Sequence, residues 1–290
     1  MLRIALLVLV LAPPSTLWAQ YVSGSVVVLE EGGDYIVIAA DSLRLGPRPG
    51  QVSNTACKIV KLSDQLVFAA SGLSGRPGIT KAPGSDTWNA NDIARQEYTA
   101  MGKKHNDQWI QKLAAAYGAR LSGQINHDLR LEPDGPLMTY LAKHGGGGAA
   151  VFAGFDEQLQ RVMVEVTVGI QGPSARVVGY TTKLLPNDDA GGTEVLGDTA
   201  IAQELAAGRT QRAQEWHSAM LLQPPGLSLK DRLLIGAESV AEWTAKYDPD
   251  LVGGPIDVIL VTRKRGVTWV RRKPACGPAV PAEKSVGSQL

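Results

Sequence analysis

Between residues 23 and 75 the chain places four groups that can cooperate in acyl transfer. Ser25 offers a hydroxyl, Asp41 a carboxylate, Lys58 an amine and Gly72 a backbone N–H unshielded by a side chain. Counted from Ser25, Asp41 lies 16 positions on, Lys58 33 and Gly72 47. A serine hydroxyl attacks a carbonyl poorly until a neighbouring base takes its proton. An ammonium close to such a base lowers its pKa by like-charge repulsion, and a carboxylate can hold that ammonium in place. A glycine N–H at a strand end can face a developing oxyanion.

The elements that must position these groups are short strands. Val26-Val27-Val28-Leu29 is β-branched and apolar, and Gly32-Gly33-Asp34 is hairpin-turn chemistry leading into a second strand, Tyr35 to Ala40. Cys57 to Leu62 and Gln65 to Ala70 read as two further strands split by Ser63-Asp64. Ser25 thus opens the first strand and Asp41 closes the second. Lys58 lies in the third strand and Gly72 just beyond the fourth.

This arrangement resembles the proteasome β-subunit and HslV family of N-terminal nucleophile hydrolases. In that family a nucleophile opens a strand, a hairpin leads to Ala-Ala-Asp, one strand carries Lys and another ends at Gly. Ala39-Ala40-Asp41, Lys58 and Gly72 take those places here. The first spacing matches the family, and the other two share a one-residue insertion that fits the loop from Gly46 to Asn54. The resemblance implies that the free α-amine of a mature-chain Ser25 is the base. Lys58 would tune it, Asp41 would hold Lys58, and the Gly72 N–H would face the oxyanion. It also implies that Ser25 must become the first residue of the mature chain.

Composition narrows the setting. A formal net charge of +1 over 290 residues gives no reason to expect nucleic acid as a partner, and the apolar content suffices for a large core. Arg271-Arg272-Lys273 reads as part of a solvated tail. Arg3, the apolar run Ile4 to Ala12, Pro13-Pro14 and Leu17-Trp18-Ala19 form a secretory signal over residues 1–19. The apolar run is too short to span a bilayer, so no stable membrane insertion is expected once the signal is removed. No Cys stands near Ala19 to carry a lipid anchor. Residues 20–24 would remain as a short propeptide, in a secreted or periplasmic protein. Cys57 and Cys276 are the two cysteines, one in a core strand and one in a Pro/Gly-rich tail. They make no scaffold, and their settings argue against pairing.

Further along, residues 76 to 90 read as a loop, Asn91 or Asp92 as an N-cap, and Ile93, Tyr98 and Met101 as the start of a helical stretch. Trp109, Leu113, Ala116, Tyr117 and Leu121 recur at helical spacing, predicting a second helix from Asp107 to about Leu131. Glu132 to Pro136 is a turn. Gly145 to Gly148 lacks the Lys-Ser/Thr of a phosphate loop and leads into a strand pair, Val151 to Phe155 and Leu159 to Val168. Short strands at Arg176 to Tyr180 and Glu194 to Leu196 flank a polar loop from Pro186 to Gly192. Asp188-Asp189 in that loop lacks calcium-site spacing. Helices follow at Ala200 to Ala207, ended by Gly208, and at Leu229 to Lys246, capped by Ser228. Gly253 to Thr262 and Val267 to Val270 form a closing hairpin, and from Lys273 the composition reads as disordered.

The resemblance therefore spans residues 23 to 270. The expected organisation is one α+β domain over 25–272, with a tail over 273–290. Its expected fold is a four-layer α/β/β/α sandwich of two antiparallel sheets between helical layers. No cofactor or metal motif is present. His105, His127, His144 and His217 fall on helices or loops, and no Gly-x-Ser-x-Gly elbow occurs.

The departures from the family are specific. Its nucleophile is Thr where Ser25 stands. Its Asp-x-x-Ser-Gly-Gly element reads Asp248-Pro249-Asp250-Leu251-Val252-Gly253-Gly254, with Val252 in the Ser place. Its Gly-Ser-Gly element reads Leu196-Gly197-Asp198-Thr199, where Asp198 or Thr199 would substitute. Two functions fit. One is an exported hydrolase of peptide or other small amide substrates, possessing its own autoprocessing step. The other is a catalytically silent structural or assembly subunit of the same fold. Either reading is compatible with a homo-oligomer, and the sequence does not set the oligomer or ring state.

Overall fold

Strands β1 (Val26–Gly32) and β2 (Tyr35–Ala40) form the expected hairpin. Val27 and Leu29 of β1 face one apolar cluster and Val26 and Val28 another, all of them buried. The run carries no polar alternation because both faces of the strand are covered. The computed structural model describes residues 26–45, 52–76, 88–102, 108–144, 146–171, 177–185, 192–197 and 200–276. The signal segment 1–19, the leader 20–24 and the Pro186–Gly191 part of the polar loop lie outside the described residues.

A small ribbon of β3 (Arg44–Leu45) and β4 (Val52–Ser53) follows the hairpin, then β5 (Ile59–Lys61) and β6 (Leu66–Gly72). A second ribbon, β7 (Gly75–Arg76) with β8 (Trp88–Asn89), leads into α1 (Ala90–Met101), α2 (Trp109–Leu131) and α3 (Pro136–His144). Next come β9 (Gly146–Phe155), β10 (Arg161–Gln171), β11 (Val177–Leu184) and β12 (Gly192–Gly197). Helices α4 (Ala200–Ala207), α5 (Gln211–Leu221) and α6 (Leu229–Tyr247) precede the closing hairpin of β13 (Asp257–Thr262) and β14 (Gly266–Arg271).

The described residues thus form an α+β structure with six α-helices and two five-stranded antiparallel sheets. The first sheet runs β12-β1-β2-β13-β14 and the second β11-β10-β9-β6-β5. Leu29 and Ile38 of the first meet Val67 and Val151 of the second in one cluster. On the other face of the second sheet, Phe68 and Phe152 pack on Leu113 and Tyr117 of α2. On the other face of the first, Val28 and Val37 pack on Ala237 and Val240 of α6. This succession of helix, sheet, sheet and helix is compatible with the expected sandwich.

Several local expectations shift. The first helix begins two or three residues earlier than the expected cap at Asn91 or Asp92, with Asn89 as N-cap, its side chain accepting from Asn91 N–H. Asp107 lies outside the described residues and α2 begins at Trp109. Pro136, read as the end of a turn, is instead the first residue of α3, a position where its missing N–H costs nothing. Helix α5 was not anticipated: only Ala213 on it is fully buried, so its apolar stripe is too thin to read. Cys57 lies before β5 rather than in it.

Candidate functional site

The carboxylate of Asp41 is where the strand ends converge. Asp41 follows β2 directly and is fully buried. Its Oδ1 accepts from Val26 N–H at 2.9 Å and from Lys58 Nζ at 2.5 Å; its Oδ2 accepts from Leu43 N–H at 3.0 Å and Gly253 N–H at 3.0 Å. A buried charge is tolerated when its donors are this complete. Antiparallel pairing explains the geometry, because Val27 lies opposite Ala40 and so brings Val26 beside Asp41. Gly253 is tied in both directions, since its carbonyl accepts from Ser42 and Leu43 N–H at 3.0 and 2.8 Å.

Lys58 reaches Asp41 from the second sheet and is 6% exposed. It immediately precedes β5, and its carbonyl accepts from Ala70 N–H of β6 at 3.1 Å. Gly72 stands two residues further along β6, about 7 Å at strand spacing. Its φ is +80°, and a Cβ there would lie 2.7 Å from Gly148 Cα on the paired strand. Gly146 to Gly148, expected only as an entry to a hairpin, are instead the first residues of β9, and Gly148 lets that strand approach the end of β6 closely.

Asp41 and Lys58 are thus in contact, and Gly72 ends the strand beside Lys58. Ser25 lies outside the described residues, as do Asp198 and Thr199. Val26, one covalent link after Ser25, donates to Asp41 itself. Val252, in the place of the family's Ser, is fully buried in the apolar cluster under α6. Ser42 Oγ is buried beside Asp41 without a hydrogen-bond partner among the described residues, a cost that usually has a reason. The described histidines, His127, His144 and His217, sit on α2, α3 and α5.

Three groups at this end escaped the sequence reading. Asp257 opens β13 fully buried, and Lys273, assigned to a solvated and disordered tail, is only 4% exposed. Lys273 Nζ lies 3.0 Å from Asp257 Oδ2 and donates to the Ala56 and Asp41 carbonyls at 2.7 and 3.4 Å. Burial pulls its ammonium below the usual lysine range, against the opposing pull of Asp257 and Asp41. Cys57 and Cys276 form a disulfide, contrary to the expectation of unpaired thiols. The pairing follows from a turn at Pro274–Cys276 that carries the chain back from β14 instead of out into solvent. Residues 277–290 lie outside the described residues.

Chemically, this end offers a lysine ammonium fixed by a carboxylate, a glycine strand end and a second buried ion pair. All of it gathers where β1 begins. No known protein-family model and no curated protein matches this chain.

Proposed function

We propose that the chain is an exported N-terminal nucleophile amidohydrolase with the proteasome-like four-layer fold, acting on peptide or other small amide bonds. The observation that carries this reading is the Asp41 carboxylate, which accepts from both Lys58 Nζ and the Val26 N–H. Ser25 is joined directly to Val26, so the lysine is fixed beside the point where the nucleophile enters the strand.

In this reading the free α-amine of Ser25 takes the hydroxyl proton while Oγ bonds to the substrate carbonyl carbon. Its pKa of about 8 lies near working pH, and the Lys58 ammonium lowers it. The Gly72 N–H donates to the oxyanion, a contact worth roughly 3–4 kcal/mol. The C–N bond breaks, the α-ammonium returns its proton to the leaving amine, and water then opens the ester. Maturation uses the same hydroxyl: Ser25 Oγ attacks the Gly24 carbonyl, the peptide nitrogen leaves as the new α-amine, and water hydrolyses the ester. Glycine at 24 permits the backbone that attack needs. Export, through residues 1–19, and a homo-oligomeric assembly belong to the same proposal.

Intact-mass analysis of the exported protein, beside Ser25→Ala, tests it. The expected wild-type chain starts at Ser25, and the variant cannot produce that terminus. A chain starting at Gln20 in both samples supports the second reading, a catalytically silent subunit of the same fold. Val252 favours that reading, because it puts an apolar side chain where the family has a hydroxyl.

A further inference from the structure

After β14 the chain does not leave the fold. Lys273 N–H donates to Asp257 Oδ1 at 2.7 Å, Lys273 Nζ turns inward, and Pro274–Cys276 forms a single 3₁₀ turn. Arg272 donates to the Cys276 carbonyl at 2.5 Å and so closes that turn. The disulfide then fastens Cys276 to Cys57, the residue immediately before Lys58. Two lysines therefore approach Asp41 from different segments. Lys58 binds its carboxylate and Lys273 its carbonyl, and Lys273 also bonds to Ala56, the residue preceding Cys57. Lys58, Asp41, Lys273 and Asp257 make a chain of alternating charges, each at most 6% exposed. Well-packed apolar residues would stabilise such a position at least as well. What the charges add is direction, since Lys273 fixes the Ala56 carbonyl two residues before Lys58 and the carbonyl of Asp41, the residue whose carboxylate Lys58 meets.

We propose that residues 271–276 are a strap belonging to the candidate site: Lys273 is a positioning residue, held by Cys57–Cys276, and reducing that disulfide releases the strap and lowers the reactivity of Ser25. The proposal rests on the hydrolase reading. Reduction consumes two electrons and two protons from a dithiol and leaves two free thiols. Lys273 then no longer holds the Asp41 and Ala56 carbonyls, and Lys58 loses its fixed approach. A periplasmic or extracellular setting would keep the strap closed, and a reducing one would open it.

The test compares oxidised wild type, dithiol-reduced wild type, Cys57→Ser/Cys276→Ser, Lys273→Met and Lys273→Arg. Amide hydrogen exchange at Leu43 and Gly253, whose N–H groups bind Asp41, reports the strap without any substrate. A β-lactone that acylates Ser25, followed by intact mass against pH, reports reactivity. Opening the strap is expected to speed exchange at both amides about tenfold and to slow acylation about tenfold, with protection of α2 unchanged. Lys273→Met is expected to move the acylation midpoint to higher pH, because losing a nearby cation raises the pKa of the remaining bases. Lys273→Arg is expected to recover most of the rate. Unchanged exchange after confirmed reduction overturns the proposal, and so does faster exchange with acylation unaltered. An oxidised wild type that reacts with no β-lactone and retains Gln20 sinks the hydrolase reading instead. A reactive wild type indifferent to every strap change sinks only this inference.

Discussion

Strand β1 has a buried ion pair near each end, and the two are built differently. At its start, Asp41 holds Lys58 and accepts from three backbone N–H groups in separate segments. Near its finish, Glu31 meets Arg161 at 2.9 Å with side chains 5% and 1% exposed, and Arg161 also donates to the Gly33 carbonyl at 3.0 Å. Both pairs join the first sheet to the second. The Glu31 pair closes against a hairpin turn, where the chain merely reverses. The Asp41 pair lies where a strand begins, beside a glycine strand end and a second ion pair. A buried ion pair is weak evidence for stability on its own, and equally weak evidence for chemistry. The surroundings separate the two.

Removing one charge from each pair is the strongest way to break the comparison. Asp41→Asn and Glu31→Gln each leave a buried cation uncompensated, and each is expected to cost about 3–5 kcal/mol in urea denaturation. Only Asp41→Asn, with Lys58→Ala, is expected to slow β-lactone acylation of Ser25, by about 10²–10⁴-fold at temperatures where the variants remain folded. If Glu31→Gln slows acylation equally, the two ends do not differ in function and the site is misassigned.

Glycines at the two ends give a smaller effect. Gly72 and Gly33 both have positive φ, +80° and +52°. A Cβ at Gly72 would meet Gly148 Cα at 2.7 Å, whereas one at Gly33 would meet only Leu229 Cδ2 at 3.4 Å. Gly72→Ala is expected to cost roughly 2–3 kcal/mol, because backbone strain is joined by a clash with backbone. Gly33→Ala should cost only about 1 kcal/mol. Thermal denaturation of both variants measures the difference; equal costs would mean that β6 and β9 can part freely at Gly72, leaving its N–H poorly fixed for any oxyanion.

Much of the strand framework was legible because burial on both faces writes it as apolar runs. Val26 to Leu29, Tyr35 to Ala40 and Leu66 to Ala70 fall in β1, β2 and β6 for that reason. The Asp41–Lys58 contact was legible through spacing and family resemblance together. Lys273, Asp257 and the disulfide were not. Cys57 and Cys276 are 219 residues apart, and no local periodicity records so distant a closure. Lys273 follows two arginines and precedes Pro274, a composition that reads as solvated whichever way the side chain turns. Helix α3 is hidden differently: Leu137 and Leu141 carry helical spacing, but Pro136 reads as the end of a turn although it starts the helix.

Adjacent glutamates on β1 sharpen the comparison through pH. Glu31 is paired with a cation, whereas Glu30 points to the α6 side, into a cavity of about 240 Å³ lined also by Thr193, Trp216 and Val240. Burial pushes the Glu30 carboxyl up to about 7, and the hydrogen bond from Thr193 at 2.8 Å pulls the other way. A raised carboxyl opposes folding once it must ionise. Below pH 4.5 both states hold the proton; between pH 4.5 and about 7 the unfolded chain releases it while the folded one keeps it. Stability contributed by this group therefore falls as pH rises through that window and stays low above it. The expected loss is on the order of 1–2 kcal/mol for a partly exposed carboxyl. Glu30→Gln keeps an acceptor for Thr193 and removes the titration, so it should match wild type near pH 4 and exceed it by that amount at pH 8. Glu31→Gln is expected to have the opposite sign at pH 8. Thermal unfolding of the two variants from pH 4 to 8 measures both, and a Glu30→Gln difference that does not change with pH would show that Glu30 ionises as freely in the folded chain as in the unfolded one.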